Sequence, residues 1–122
     1  MKLRLKKLKY QVIVITGASS GIGLATARRA ARRGARVVLA ARSEADLQQL
    51  AEEINHEGPG QAIAVAADVG NEGDVQRVAE AALREFGGFD TWVNNAGASV
   101  YGRATDVSVE DMRRVFDTNF WG

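Results

Sequence analysis

A glycine-rich segment, TGASSGIG at residues 16–23, constrains the fold of this 122-residue chain more than any other feature. It follows a β-branched run at 12–15, whose continuous apolar character is typical of a strand buried on both faces of a parallel sheet. The residues after it, 24–33, favour a helix, and Gly34 then provides a stop signal. A strand, a glycine turn and a helix in direct succession predict the first unit of an α/β fold.

The same alternation of strand and helix continues along the chain. Three more apolar runs predict strands at 36–41, 62–66 and 91–93, and helical spacing of apolar residues begins near 43, 75 and 108. Strands that alternate with such helices imply a parallel sheet with helices on both faces. Right-handed crossovers favour the strand order 3-2-1-4, so the predicted class is α/β, a Rossmann-like doubly wound parallel sheet truncated after about four strands.

This predicted sheet is short for its class. The sequence stops inside or just after its fourth helix, whereas a doubly wound sheet normally continues past strand 4. We therefore expect strand 4 to be an exposed edge, and the isolated chain to dimerise or aggregate through it.

Composition excludes several classes of protein. With 46% hydrophobic and 25% charged residues, the chain is neither disordered nor collagen-like, and no apolar run approaches the ~18 residues of a membrane span. The absence of cysteine excludes a disulfide framework and a thiolate metal site, and the single histidine, His56, gives no reason to expect any other metal. The lack of cysteine and of an N-terminal apolar signal fits a cytoplasmic protein.

Charge is distributed unevenly along the chain. Residues 1–43 carry 11 Lys or Arg and no acid, while residues 44–122 carry 5 Arg and 15 acids. Such asymmetry can signal a nucleic-acid arm, a membrane-surface segment or a phosphate-binding end. We expect residues 1–9 to be a basic, solvated and partly frayed segment ahead of the first strand, with no nucleic-acid partner.

The glycine turn has a chemical consequence. Glycines let the chain bend sharply and let a pyrophosphate approach the backbone, and the helix N-terminus that follows offers unpaired N–H groups to phosphate oxygens. A glycine cluster alone is weak evidence, but between a strand and a helix it predicts a nucleotide-binding turn.

The glycine spacing and two later motifs together resemble the short-chain dehydrogenase/reductase family. The turn is G-x-x-x-G-x-G, Asp68-Val69 follows the third strand, and NNAG at 94–97 follows the fourth. The segment 115–122 also resembles the fourth-helix segment of this family. The resemblance implies that residues 10–122 are the N-terminal part of a single dinucleotide-binding domain.

The resemblance implies a role for each motif. Gly17, Gly21 and Gly23 would shape the cofactor turn, with Ser19, Ser20 and the Ile22 amide near phosphate or ribose. The Asp68 side chain and the Val69 backbone would contact the adenine. Residues 94–97, with Asn94, Ala96 and Gly97, would line the adenosine side and brace the sheet. The main-chain carbonyl of Asn119 would hold the water of a proton relay. A helix cap for Asp68 and a turn for Asn94 and Asn95 are the alternatives.

The end of the second strand bears on which nicotinamide cofactor binds. An acid at that position binds a ribose 2′-hydroxyl and repels a 2′-phosphate, but here the sequence reads LAARS at 39–43. Arg42 has a guanidinium suited to pairing with a 2′-phosphate. We therefore predict that NADP(H) is preferred over NAD(H), with an exposed, solvated Arg42 as the alternative.

The sequence lacks part of the chemistry that the resemblance implies. The family uses a Ser, a Tyr general acid and a Lys four residues after the Tyr, but neither Tyr10 nor Tyr101 is followed by Lys at that spacing. We expect an oxidoreductase that interconverts a small-molecule alcohol and carbonyl, and a homo-oligomer for the complete protein, with these 122 residues inactive alone. The alternative is a non-catalytic nucleotide-binding or interaction module.

Overall fold

The computed structural model describes residues 4–122, so residues 1–3 of the predicted basic segment lie outside the described part. The strands are β1 (Val12–Thr16), β2 (Arg36–Ala41), β3 (Gln61–Ala66) and β4 (Thr91–Val93). The helices are α1 (Gly21–Arg32), α2 (Glu44–Glu57), α3 (Glu72–Phe86) and α4 (Val109–Phe116). A 3-10 turn at Leu8–Tyr10 precedes β1, and α4 continues as a π-helix over Asp117–Trp121.

The predicted topology is confirmed. The four strands lie in the order β3-β2-β1-β4, and all three strand pairs are parallel. The register places Ile15 of β1 beside Leu39 of β2 and Val93 of β4. Every strand therefore ends at the same edge of the sheet, and the four loops that follow the strands meet there.

The core lies on both faces of β1 and β2. Ile13, Ile15 and Leu39 face the side where α1 and α2 pack. Val14 and Val38 face the opposite side, against α3. This alternation explains the unbroken apolar runs in the sequence, because each strand must present an apolar residue to both layers of helices.

Local sequence signals set several helix ends. Asn71 and Ser108 occupy the N-cap positions of α3 and α4, and each side-chain oxygen accepts a hydrogen bond from the backbone N–H three residues later. Gly87 ends α3 in the left-handed region, with φ of 79°. Helix α1 begins earlier than the sequence predicted, because Gly21 and Gly23 already belong to its first turn.

The β4 side of the sheet is much more exposed than the rest. No residue of α4 or of the π-helix is buried, and β4, which pairs only with β1, is the exposed edge that we predicted. The large apolar residues Phe116, Phe120 and Trp121 are exposed there. None of the helices within residues 4–122 combines the length and the apolar character needed to cross a membrane.

Candidate functional site

The loops at the carboxyl ends of the strands surround a cavity of about 580 Å³. This volume falls within the range of small-molecule and cofactor sites, roughly 300–1,000 Å³. The cavity is lined by Gly17, Ser19, Ser20, Ala41, Arg42, Ser43, Ala67, Asp68, Val69, Asn95, Ala96, Gly97 and Thr118. All four strand-to-helix connections contribute to it, together with one residue of the π-helix.

The glycine turn is packed tightly against the loop after β4. Gly17 has φ of 65°, and a Cβ added to it would lie 2.8 Å from Ala96 Cα. A Cβ on Gly23 would collide with the Gly17 carbonyl oxygen and come within 2.5 Å of Asn95 Nδ2. These two positions require glycine because helix α1 and the turn approach each other, and the Asn95 loop, at backbone distance.

A buried hydroxyl joins the same two loops. Thr16, at the end of β1, is 3% exposed and is the buried polar residue of the core. Its Oγ1 donates to the Val93 carbonyl at 3.3 Å and accepts the backbone N–H groups of Asn95 and Ala96 at 3.1 Å each. The Asn95 side chain completes the junction by donating to the Gly17 carbonyl at 3.2 Å. The hydroxyl is fully used, and the position of the NNAG segment is thereby fixed.

The loop after β3 is held by its own carboxylates. Asp68 Oδ1 accepts the Gly70 N–H at 2.9 Å, and the Asp68 N–H donates to Asp74 Oδ2 at 2.9 Å. The hydrogen bond from Arg77 and then that from the Asp68 backbone lower the pKa of Asp74, so its carboxylate stays ionised in this role. Because Asn71 is the N-cap of α3, the helix-cap alternative for Asp68 does not describe this loop.

The end of β2 places a cation at the cavity. Arg42 lines it beside Ser43, which precedes α2 without making a side-chain capping bond. The first-turn N–H groups of α2 give this end of the cavity a partial positive charge. Arg42 also borders a neighbouring cleft that contains Asp68, Arg113 and Arg114.

Asn119 lies in the π-helix, and its side chain clamps the loop after β4. Its Oδ1 accepts the Ala98 N–H at 2.7 Å, and its Nδ2 donates to the Ala98 carbonyl at 2.7 Å. Segments of π-helix occur often at functional sites. The clamp fixes where the chain leaves the NNAG segment.

The structure brings together most of the predicted cofactor residues at one cavity. Those that line it are Gly17, Ser19, Ser20, Arg42, Asp68, Val69, Ala96 and Gly97. Gly21, Ile22, Gly23, Asn94 and Asn119 are not among the lining residues. Gly23 instead permits the close packing beneath the turn, Ile22 is exposed, and Asn94 accepts a hydrogen bond from the Trp92 indole.

Several lining residues belong to no recognisable sequence motif. Ala41, Ser43 and Ala67 follow or end strands, and that position was the available signal for all three. Thr118 had no such signal, because it lies in the π-helix and not at the end of a strand. Asn95 entered only as part of the 94–97 segment, although it both lines the cavity and bonds Gly17.

The donor set of this cavity fits a dinucleotide phosphate. The turn that bears Ser19 and Ser20 faces the cavity and leads directly into α1, where backbone N–H groups at the helix start favour an anion. A Cβ at Gly17 or Gly23 would disturb this cradle. Arg42 at one end adds a full positive charge.

Comparison with known proteins gives a consistent result. A family model described as short chain dehydrogenase matches residues 11–122. An uncharacterized oxidoreductase of Bacillus subtilis, YxnA, is 65% identical over 121 residues, which are 99% of this chain and 34% of that protein. The 3beta-hydroxysteroid dehydrogenase 1 of Eggerthella lenta is 40% identical, over 94% of this chain and 44% of its own length.

Solved structures agree with the sequence comparison. L-sorbose reductase from Gluconobacter frateurii, complexed with NADPH and L-sorbose, superposes with a TM-score of 0.84 at 35% identity, over 91% of this chain and 42% of its own. An alcohol dehydrogenase from Thermococcus sibiricus, complexed with 5-hydroxy-NADP, gives 0.85 at 36% identity, over 89% and 46%. The chain thus spans less than half the length of these relatives.

Proposed function

Because the chain belongs to the short-chain dehydrogenase family, we propose that it is the cofactor-binding part of an NADP(H)-dependent oxidoreductase that interconverts a small-molecule alcohol and carbonyl. The observation that carries this proposal is that one cavity at the carboxyl edge is lined by the glycine turn, Arg42, the Asp68 loop and the NNAG segment. The complexes of two similar structures with NADPH or an NADP derivative support it.

Each part of the cavity has a proposed task. The turn at Ser19 and Ser20 and the start of α1 bind the pyrophosphate, and Asp68 with Val69 binds the adenine. The junction at Thr16 keeps the NNAG segment in place under the rest of the cofactor. The bound nicotinamide supplies or accepts the hydride, and the chain's own contribution is to bind and orient the dinucleotide.

Preference for NADP(H) rests on Arg42. Its guanidinium lies at the end of β2, where it can form a bidentate pair with a 2′-phosphate, and no acid accompanies it in the LAARS segment at 39–43. Replacement of Arg42 by Ala should weaken NADPH binding by about tenfold, in line with a charge-assisted hydrogen bond, and leave NADH binding nearly unchanged.

The test is to measure the affinities for NADPH and NADH by calorimetric titration of the wild type and of the Arg42 variant. Arg29→Ala is the matched control, because Arg29 is an exposed arginine on α1 outside the cavity lining. An unchanged ratio of NADPH to NADH affinity in the Arg42 variant would overturn the preference, while leaving dinucleotide binding itself intact.

Catalysis is proposed for the complete protein and not for these 122 residues alone, since they contain no Tyr-x-x-x-Lys sequence. We further propose a cytoplasmic, homo-oligomeric enzyme. The protein expressed from its natural reading frame should oxidise NADPH in the presence of a suitable ketone or ketose, whereas residues 1–122 should not. Cofactor binding by the natural protein without turnover across a broad carbonyl panel would favour the alternative, a non-catalytic nucleotide-binding module.

A further inference from the structure

The amino-terminal ends of the strands carry a second surface, opposite the cofactor cavity. The segment at residues 4–10 leads into β1 at this edge, and every one of its residues is exposed. It contributes Arg4, Lys6, Lys7 and Lys9, and the start of β2 adds Arg36; we refer to these five residues as the basic edge. Lys6, Lys9 and Arg36 line a shallow cavity here, and none of its lining residues is acidic.

The segment at residues 4–10, which carries most of the basic edge, makes defined contacts with the rest of the protein. Lys6 donates to both carboxylate oxygens of Asp90, at 2.9 and 3.1 Å, and the Gln11 side chain donates to the Lys6 carbonyl at 2.6 Å. The turn at Leu8–Tyr10 is closed by the Tyr10 N–H, which donates to the Lys7 carbonyl at 2.9 Å. These contacts hold a short strap, residues 4–10, against the body of the protein.

Apolar side chains stand between the cations of this strap. Leu5 is 85% exposed, Leu8 is 37% exposed and Tyr10 is 53% exposed. Basic residues interleaved with exposed leucines fit the boundary between lipid headgroups and acyl chains. There the cations contact anionic headgroups, and the leucine side chains are buried among the acyl chains. A nucleic acid would use the cations but not the leucines, and the ring of Tyr10 is already covered by Lys9 Nζ at 4.9 Å from its centroid.

We propose that the basic edge docks the protein on an anionic lipid surface. Strand β1 has five residues and therefore separates this edge from the cofactor cavity by roughly 17 Å. Docking would leave the cofactor cavity open to solution, because the cavity lies at the opposite edge of the sheet. The proposed association uses the short strap at residues 4–10, whose side chains would lie at the level of the headgroups.

The test is co-sedimentation of the protein, expressed from its natural reading frame, with phosphatidylcholine vesicles with and without phosphatidylserine. The wild type should bind the anionic vesicles and not the neutral ones, and added salt should release it. Because each cation near such a surface contributes about fivefold in partitioning, the double variant Arg4→Glu, Lys7→Glu should bind at least about tenfold more weakly.

Two further variants make the test specific. The pair Arg113→Glu, Arg114→Glu changes the net charge equally but lies beside Asp68 at the other edge, and it should bind like the wild type. Leu5→Ser should weaken vesicle binding severalfold and leave binding to a single-stranded oligonucleotide unchanged.

Three results would overturn the proposal. The first is equal binding to neutral and anionic vesicles, and the second is an Arg4, Lys7 variant that binds like the wild type. The third is an oligonucleotide bound more tightly than anionic vesicles, with no effect of Leu5→Ser on either, which would identify a nucleic-acid surface instead. NADPH affinity in the Arg4→Glu, Lys7→Glu and Leu5→Ser variants should be unchanged, so failure here is distinguishable from failure of the proposed enzyme function.

Discussion

The two halves of the sheet differ sharply in packing. Strands β1 and β2, with α1 and α2, contain side chains such as Ile15 and Leu39 that are completely buried. Strand β4 and α4 have no buried residue, and the aromatic residues that follow α4 are exposed. We call the first the packed half and the second the open half. The relatives are more than twice as long as this chain, and the open half is where it presents unpaired strand edge and apolar surface.

The comparison shows how the site is divided between the halves. The glycine turn and Arg42 stand on the packed half, the Asp68 loop follows the neighbouring strand β3, and Asn119 stands on the open half. Besides the pairing of β1 with β4, the halves meet at three junctions: Gly23 packing against Asn95, the Thr16 hydroxyl, and the Asp90 carboxylate. Cofactor binding therefore depends mainly on the packed half and on the two junctions beside the cavity, those of Gly23 and Thr16.

The largest contrast is expected between Leu39→Ala and Phe120→Ala. Leu39 is 0% exposed, so its truncation should lower the free energy of unfolding by about 3 kcal/mol. Phe120 is 69% exposed, so its truncation should cost about 0.5 kcal/mol or less in the 122-residue chain. Urea unfolding of both variants measures the difference, and equal losses would contradict the division into halves.

Gly23→Ala tests the first junction. The added methyl would collide with the Gly17 carbonyl and Asn95, and should cost about 2 kcal/mol of stability and at least tenfold in NADPH affinity. Gly21→Ala is the control, because a Cβ there meets nothing within 4 Å and carries only the backbone cost of a φ of 57°. NADPH titrations in which Gly21→Ala weakened binding more than Gly23→Ala would refute the packing argument.

Thr16→Val tests the second junction. Valine preserves the shape of the side chain but leaves the N–H groups of Asn95 and Ala96 without their acceptor, at a cost of about 1.5 kcal/mol. The thermal unfolding temperature and the affinity for NADPH should both fall in the Val variant. Thr16→Ser, which keeps the hydroxyl, should restore both. A Val variant as stable as the wild type would show that the hydroxyl does not hold the NNAG segment.

Asp90→Asn tests the third junction and has the smallest expected effect. The Val12 N–H, and then Lys6, lower the pKa of Asp90, so the carboxylate stabilises the fold above the ordinary Asp pKa of about 3.9. That stability is lost as the pH falls through the lowered value. The free energy of unfolding of the variant should be about 1 kcal/mol lower than that of the wild type at neutral pH. It should also decrease less than that of the wild type as the pH is lowered.

Asp106→Asn, in the exposed loop after β4, is the matched control for this prediction and should behave like the wild type. Equal acid profiles for wild type and Asp90→Asn would show that the carboxylate does not contribute to the junction.

Local sequence signals predicted the packed half well. The apolar runs and Gly34 act through neighbouring residues, so they located the strands and the end of α1. The alternation of strands and helices, with right-handed crossovers, predicted the strand order. In the open half, the Ser108 N-cap marked the start of α4 in the same local way. The nucleotide-binding turn was equally visible, because its glycines lie between a strand and a helix.

Features that depend on contacts distant in sequence were not predicted. Thr16 ends a strand and bonds residues about 80 positions away, and nothing near it in the sequence marks that role. Thr118 reaches the cavity only through the π-helix, and the strap at residues 4–10 is held by Asp90, far along the chain. In each case the contacting residues are far apart in the sequence, and local patterns do not specify individual side-chain contacts between distant segments.

The most direct test of the central claim is amide hydrogen exchange of the 122-residue chain with and without saturating NADPH. Binding of NADPH at the carboxyl ends of the strands should slow exchange in 17–23, 42–44, 68–70 and 95–97, and should leave 4–10 and α4 unchanged. Absence of protection in these loops at saturating NADPH, or protection confined to the amino-terminal edge of the sheet, would contradict a cofactor site at the carboxyl ends of the strands.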